Sequence, residues 1–275
     1  MKHILITGTH SYIGESFRKY LGQWPDKYII TGINTRGLSP EPQMFRNIDV
    51  VFCTAGIAHI KETAKNRHLY FDINRDLVVE VAKAAKKAGV HQFILLSSMS
   101  VYGMEVGRIT KETEPHPVTA YGQSKLEADE EIKKIEDDTF IFTCLRPPMV
   151  YGKNCTGNYQ ALRKFALKSP IFPDYQNQRS MIYIDNLCEF VRNAIDEEKR
   201  GLFFPQNAEY TNTSEMVSLI TVAHKKKIRL TRIFNCLIKI APMGVVKKVF
   251  GDLIYEPIDI VGKYGFEESI KLTEE

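Results

Sequence analysis

The sequence predicts an α/β protein: a doubly wound parallel sheet with helices on both faces, followed by a smaller C-terminal lobe. Three observations predict it. Short, continuous apolar runs such as "DVVFCTA" (Asp49–Ala55) have the composition of strands buried on both faces. These runs alternate with segments of helical period, such as "DLVVEVAKAAKKA" (Asp76–Ala88), which ends at Gly89, a residue suited to a helix C-terminus. The chain opens with "ILITGTHSYIG", a strand entering a glycine turn and then a helix, as a nucleotide-binding βαβ unit begins.

Taken in order, Ile4–Thr7 reads as a strand and Tyr12–Leu21 as a helix. Lys27–Ile33 is the second strand and Asp49–Ala55 the third. Asp76–Ala88 is helical, Gln92–Ser97 a strand, Tyr121–Glu136 a helix, and Phe140–Leu145 a strand ending at "RPP". This is a Rossmann-like rhythm, and ligands in such sheets sit beyond the carboxyl ends of the strands. Only "NTRGLSPEPQMFRNI" separates the second and third strands, too little for a full crossover with its own helix and strand, so one strand–helix step is expected to be trimmed. From about Tyr151 loops lengthen and prolines become frequent. The expected division is therefore a dinucleotide-binding domain over 1–150 and a substrate-binding lobe over 151–275, partly interwoven with it.

A length of 275 residues allows one large core with an appendage, and 44% apolar and 25% charged residues are ordinary for a soluble globular protein. A net charge of +4 does not point to nucleic acid, though it suits a small polyanionic substrate. Cys53, Cys144, Cys155, Cys188 and Cys236 are scattered without a CxxC pair, which points to free thiols in a reducing compartment and to no metal site. The N-terminus runs straight into a strand, and no apolar run approaches the ~20 residues that span a bilayer, so a cytoplasmic protein without an integral membrane segment is expected. The basic run "HKKKIRLTR" (224–232) reads as a solvated strand and turn, with a phosphate or anionic-membrane contact as the sharper alternative. "FNCLIKIAPMGVVKKVF" (234–250) reads as two short packed helices, because Pro242 and Gly244 interrupt what would otherwise be an amphipathic membrane-surface helix.

In the opening loop, Gly8 allows the tight turn after the strand, and Gly14 lets the first helical turn pack close to the sheet. The helix N-terminus then presents free N–H groups and a partial positive charge to a pyrophosphate. Ser11 stands where a third glycine is expected. Its small side chain shifts the loop without abolishing it, and its hydroxyl can donate to a phosphate oxygen. Downstream, Tyr121 and Lys125 in "YGQSK" are four apart and share one helix face. Ser98, in "LLSSMSVYG", stands at a strand end 23 residues before Tyr121.

This arrangement resembles the Ser–Tyr–Lys set of the extended short-chain dehydrogenase/reductases, in the NAD-dependent epimerase/dehydratase branch that acts on nucleotide sugars. The resemblance covers nearly the whole chain. "ITGTHSYIG" is similar to that family's T-G-x-x-G-x-x-G loop, which assigns Gly8, Ser11, Tyr12, Ile13 and Gly14 to the cofactor. "AGIAH" (55–59), with Ala55 and Gly56, resembles the segment lining the cofactor diphosphate. Asn74 in "DINRDL" matches the asparagine that steadies the active-site backbone. Ser97 and, in "LRPPMVYG", Pro148 fall at family positions near the nicotinamide. "QRSMIYIDNL" (178–187) resembles the signature in which an arginine, here Arg179, grips the substrate diphosphate. Asn158 in "GNY" is similar to the asparagine of the substrate loop.

The resemblance implies hydride transfer at a carbonyl. Tyr121 is then the proton donor, Ser98 holds the substrate oxygen, and Lys125 lowers the tyrosine pKa and holds the nicotinamide ribose. Where the family's NAD-dependent epimerases carry an acidic residue after the second strand, this chain has Asn34, Thr35 and Arg36, which favours NADP(H), with NAD(H) as the alternative. Whole-chain similarity points to small bacterial enzymes of capsule and surface-polysaccharide synthesis. The leading expectation is an NADPH-dependent reductase of a UDP-linked 4-keto-6-deoxy-N-acetylhexosamine. The alternatives are a UDP-glucose 4-epimerase-like enzyme with tightly held NAD+ and a catalytically silent nucleotide sensor. A dehydratase is disfavoured because Met99 and Ser100, not an Asp–Glu pair, follow Ser98. The resemblance also suggests a homodimer packed through the helices carrying Asp76–Ala88 and Tyr121–Glu136.

Overall fold

The computed structural model describes all residues except 59, 61, 234 and 241–243, together with the side chains at 237, 239, 240 and 245. His59, the last residue of the diphosphate-lining segment, and the first residue and the Pro242 break of the 234–250 segment therefore lie outside the described residues. In chain order, the elements begin β1 (Lys2–Thr7), α1 (Tyr12–Leu21), β2 (Tyr28–Ile33), β3 (Val50–Cys53), α2 (Arg67–Phe71), α3 (Leu77–Lys87) and β4 (Gln92–Leu96). They continue with β5 (Gly107–Ile109), α4 (Ala120–Lys134), β6 (Ile141–Leu145), β7 (Met149–Tyr151), α5 (Asn158–Lys168), β8 (Ile171–Pro173), β9 (Met181–Tyr183) and α6 (Ile184–Asp196). The chain ends with β10 (Gly201–Phe203), β11 (Gln206–Asn207), α7 (Thr213–Ala223), β12 (Arg229–Thr231), α8 (Asn235–Ile240), α9 (Gly244–Phe250), β13 (Leu253–Tyr255), β14 (Ile260–Val261) and α10 (Phe266–Glu274).

Two compact units divide the chain. The first holds 1–103, 115–147 and 188–204; the second holds 104–114, 148–187 and 205–275. The first unit is built on a six-stranded parallel sheet of order β10-β6-β4-β3-β1-β2. The order reverses at β1, where β2 lies on one side and β3 on the other, so a crevice for a ligand opens between the carboxyl ends of β1 and β3. The connection between β2 and β3 contains a single 3-10 turn, Pro42–Phe45, whose Phe45 is buried in the core. The sheet thus lacks the outermost strand of the usual doubly wound order, which is the trimmed step the short linker predicts. One strand was not foreseen: β10, three residues long, pairs with β6 and closes the far edge of the sheet.

Why these segments pack is plain from their residues. Leu5, Val51, Cys53, Phe93, Leu95, Phe142 and Cys144 project from the sheet toward Val78, Val81, Ala82 and Ala85 of α3 and Ala128 and Ile132 of α4. The helical residues recur every three or four positions, and small ones predominate, so both helices lie close on the sheet. Between α2 and α3 the helix makes one π-turn, Asp72–Asp76. Such a turn inserts an extra residue and re-aims side chains, often at functional sites; here it carries Asn74 inward.

In the second unit, short parallel strand pairs (β7 with β9, β8 with β12, β5 with β13, β11 with β14) are joined by helices. Its interior is aromatic and polar. Tyr151 stacks on Tyr159, with centroids 5.7 Å apart. The Tyr151 hydroxyl lies 2.6 Å from Ser269 Oγ and accepts from Asn207 Nδ2 at 3.0 Å. The buried Glu274 carboxylate gathers Tyr159, Arg163 and His224, each at 2.6 Å. The thiols of Cys53, Cys144, Cys155 and Cys188 are buried and form no disulfide. Among the described residues no helix is long and apolar enough to cross a membrane.

Candidate active site

The loop after β1 is held by hydroxyls and by the absence of side chains. Gly8 has φ +73°, a conformation that glycine adopts without strain. A Cβ at Gly14 would stand 2.8 Å from Ser11 Oγ and 3.0 Å from the Gly8 carbonyl oxygen. Ser11 is the N-cap of α1, its Oγ accepting from the Gly14 amide at 3.0 Å. Thr54 donates to the Thr7 carbonyl at 2.6 Å, which leaves its oxygen to accept from Ser11 Oγ at 2.8 Å. The Ser11 hydroxyl, expected to donate to a phosphate, thus spends both its hydrogen and a lone pair inside the loop. The residue substitutes for glycine by capping the helix and tying it to β3. Tyr12 and Ile13 form the first turn of α1, at its positive end.

Asn74 is fully buried and clamps the segment after β3: its Oδ1 accepts from the Ile57 amide at 2.8 Å, and its Nδ2 donates to the Ile57 carbonyl at 3.0 Å. The same Nδ2 reaches Ser124 Oγ on α4 at 3.3 Å. Gly56 has φ +156°, and a Cβ there would lie 3.0 Å from Asn74 Oδ1 and 3.2 Å from Lys125 Nζ. Ala55, Gly56, Asn74 and Lys125 therefore share one wall. These features (a tight glycine turn, a helix N-terminus and a second glycine strip opposite it) fit a dinucleotide.

Helix α4 begins at Ala120, capped twice: Thr119 Oγ1 accepts from the Gly122 amide at 3.1 Å, and Glu62 Oε2 accepts from the Ala120 amide at 2.9 Å. A Cβ at Gly122 would sit 2.5 Å from the Ser100 carbonyl, so glycine lets α4 press against the turn that follows β4. That contact brings Tyr121 to Ser98. Ser98 is extended and caps the 3-10 turn Met99–Tyr102, its Oγ accepting from the Ser100 amide at 3.1 Å. The Tyr121 phenol is pushed up by burial and by the charge of Asp129, and is pulled partly back by its hydrogen bond with Ser98. Lys125 donates to the Leu96 carbonyl at 2.9 Å, and burial lowers its pKa while Asp129 supports its charge.

Sequence reasoning missed the group beneath this set. Asp129, one turn beyond Lys125, accepts from Ser97 Oγ at 2.8 Å and from Arg146 Nε at 3.1 Å. Arg146 donates to the Tyr102 hydroxyl at 2.9 Å and lies over its ring. Both charges are buried, at 5% and 7% exposure. The i, i+4 spacing from Lys125 was the available signal for Asp129; nothing local marks Arg146 as its partner. Asn34 and Arg36 are exposed just beyond β2, with the Arg36 amide donating to Asn34 Oδ1 at 3.0 Å, while Thr35 is buried.

The second unit carries the other predicted residues. Asn158 is exposed at the first position of α5. Arg179 is half-buried, bridged backbone to backbone with Thr211, and its guanidinium donates to the Gly251 carbonyl at 2.9 Å. Burial lowers its pKa and Asp252 supports its charge. Pro148 is buried at the start of this unit's 148–187 segment.

The sheet, the glycine loop and the Ser–Tyr–Lys set define an NAD(P)-dependent enzyme. The profile of the NAD dependent epimerase/dehydratase family matches residues 4–203, and the chain belongs to that family. It is 28% identical over 251 residues to a UDP-glucose 4-epimerase of Vibrio cholerae, covering 82% of this chain and 76% of that one. It is 27% identical over 194 residues to an N-acetyl-α-D-glucosaminyl-diphospho-ditrans,octacis-undecaprenol 4-epimerase of Escherichia coli O157:H7, covering 68% of this chain and 58% of that one. In fold it matches UDP-glucuronic acid 4-epimerase of Bacillus cereus, solved with NAD, at a TM-score of 0.79 and 18% identity over 99% of this chain and 95% of that one. It also matches a dTDP-4-dehydrorhamnose reductase of Clostridium acetobutylicum at a TM-score of 0.77 and 19% identity, over 98% of each chain.

Proposed function

We propose that this protein carries out oxidoreduction at C4 of a nucleotide-diphosphate sugar, most specifically the NADPH-dependent reduction of a UDP-4-keto-6-deoxy-N-acetylhexosamine in surface-polysaccharide synthesis. The reading rests above all on Tyr121 in the first turn of α4, hydrogen-bonded with Ser98 and one turn from Lys125. The nicotinamide supplies the hydride when bound. Gly8, Ser11, Tyr12, Ile13 and Gly14 hold its diphosphate at the α1 N-terminus, and Ala55, Gly56, Asn74, Ser97 and Pro148 line its path. Tyr121 delivers a proton to the C4 oxygen, Ser98 orients that oxygen, and Lys125 holds the ribose. Arg179 and Asn158 hold the substrate diphosphate, for which a guanidinium fork is suited. A homodimer through α3 and α4 belongs to the same proposal. Its contact face would be charged, since Arg75, Glu80, Lys83, Glu127, Glu130 and Glu131 line the outer side of these helices.

One observation favours reduction. Asn34 and Arg36 replace the carboxylate that would bind an adenosine ribose 2′-hydroxyl and repel a 2′-phosphate. A second reading, a UDP-hexose 4-epimerase with tightly bound NAD+, is favoured by both sequence relatives. The Escherichia coli relative extends the candidate substrates to a sugar diphosphate carried on a polyprenol. Titrating the purified protein with NADPH and NADH by nicotinamide fluorescence, beside a check for cofactor retained through purification, separates the two. NADPH preference with little retained cofactor fits the reductase, and NAD+ that survives purification overturns it.

A further inference from the structure

Charge is distributed unevenly along this chain. From Met216 to Gly251 there are eight lysines and arginines and no aspartate or glutamate, although the whole chain has a net charge of only +4. The rest of the molecule is therefore net acidic. In the second unit the basic stretch folds onto the end of α5. Strand β12 pairs with β8, with Arg229 opposite Ile171 and Leu230 opposite Phe172. The Lys226 ammonium donates to the Leu167 carbonyl at 3.0 Å, and Phe165 packs edge-on against Phe172 at 5.6 Å. Lys225, Lys226, Lys227, Arg229 and Arg232 are all exposed.

Apolar side chains stand exposed among these cations. Ile233 is 81% exposed and Phe165 50%, with Ile171 at 40% and Leu230 at 36%. Neither feature serves the sheet, the loop or the Ser–Tyr–Lys set. Cations alone would describe a solvated face; bulky apolar side chains exposed in the same segments are the composition that enters the boundary between headgroups and acyl chains. A second copy of the chain is a poor occupant, because a two-fold contact would set this positive patch against itself. Single-stranded nucleic acid is a poor one too, since among the described residues Phe165 is the one exposed aromatic ring of the patch and base stacking needs a platform of them.

We propose that the surface formed by the end of α5, the edge of β8, the turn after α7 and β12 with Ile233 docks the protein on an anionic phospholipid bilayer. The cations draw it to the surface, and Ile233 and Phe165 insert. The full chain, sedimented with phosphatidylcholine vesicles with and without phosphatidylglycerol, tests this. The chain should pellet with the anionic vesicles at low salt and be released as salt shortens the screening length to about 3 Å at 1 M. Lys225→Gln/Lys227→Gln/Arg229→Gln should weaken partitioning roughly 100-fold, at about fivefold per cation. Ile233→Ser should weaken it with the salt dependence retained. Circular dichroism and nicotinamide binding, which report the fold and the first unit, should be unchanged in both variants. A chain that stays in the supernatant with anionic vesicles, or variants that pellet as the parent does, overturns the proposal. So does a dimer that the triple substitution dissociates, because a second copy would then be the occupant.

Discussion

Replacing Asp129 tests how the site is held together. Its carboxylate and the Arg146 guanidinium form a buried pair at 3.1 Å, with side chains 5% and 8% exposed. Asp129→Leu leaves the guanidinium buried without a counter-charge, a loss of about 3–5 kcal/mol. Against a typical domain stability of about 5–15 kcal/mol this is a large fraction. Arg146→Met strands the carboxylate and should cost a similar amount. The double variant Asp129→Leu/Arg146→Met removes both charges and fills the space. It should recover most of the loss, less about 1 kcal/mol for each of the hydroxyls of Ser97 and Tyr102 that loses its partner. Urea unfolding of the four proteins gives the coupling directly: single losses of about 3–5 kcal/mol each against a double loss of about 2 kcal/mol put it at about 4–8 kcal/mol. Single variants costing less than about 1 kcal/mol, or strictly additive effects, would show that the pair is not buried and coupled as described. The charge also reaches the chemistry. Asp129 raises the pKa of both Tyr121 and Lys125. In Asp129→Asn both groups lose protons at lower pH, so the alkaline limb of the reduction rate should move down; an unmoved limb refutes the link.

Other predictions concern single elements. Gly14→Ala should weaken nicotinamide binding while leaving the fold intact, because its methyl would meet Ser11 Oγ at 2.8 Å; fluorescence titration reads the loss, and unchanged affinity would sever the loop from the cofactor. Arg36→Ala should reduce affinity for NADPH and leave NADH unaffected, measured in the same titration. Stability should fall as pH rises above the tyrosine value of 10.0, because burial pushes Tyr28 and Tyr151 up to about 12, so the unfolded chain ionises first. Alkaline denaturation followed by circular dichroism checks this, and a flat profile between those values would contradict it.

Much of the first unit was legible because its signals are local. Apolar strands, helical periodicity and glycine turns sit in contiguous sequence, and α1 begins and ends where its pattern does, at Tyr12 and Leu21. The short linker before β3 revealed the trimmed strand for the same reason. What stayed hidden depends on partners distant in sequence. The commitment of Ser11 to Thr54 is visible only once β1 and β3 pair, and the Glu62 cap on α4 only once α4 docks. The Asp129–Arg146 pair joins a helix to a strand end whose sequences do not mark each other. The π-turn at Asp72–Asp76 breaks the 3.6-residue period that located α3, so the pattern there starts late. Strand β10 is too short to alternate or to form an apolar run.

The proposed function turns on Tyr121 as the proton donor of a hydride transfer at C4. Incubating the protein and its Tyr121→Phe variant with NADPH and a UDP-4-keto-6-deoxy-N-acetylhexosamine, while following nicotinamide absorbance, tests that role. The parent chain should consume NADPH, and the variant should do so about 100-fold or more slowly with NADPH binding retained. Consumption by the variant at the parent's rate, or none by a parent chain that binds both ligands, would contradict it.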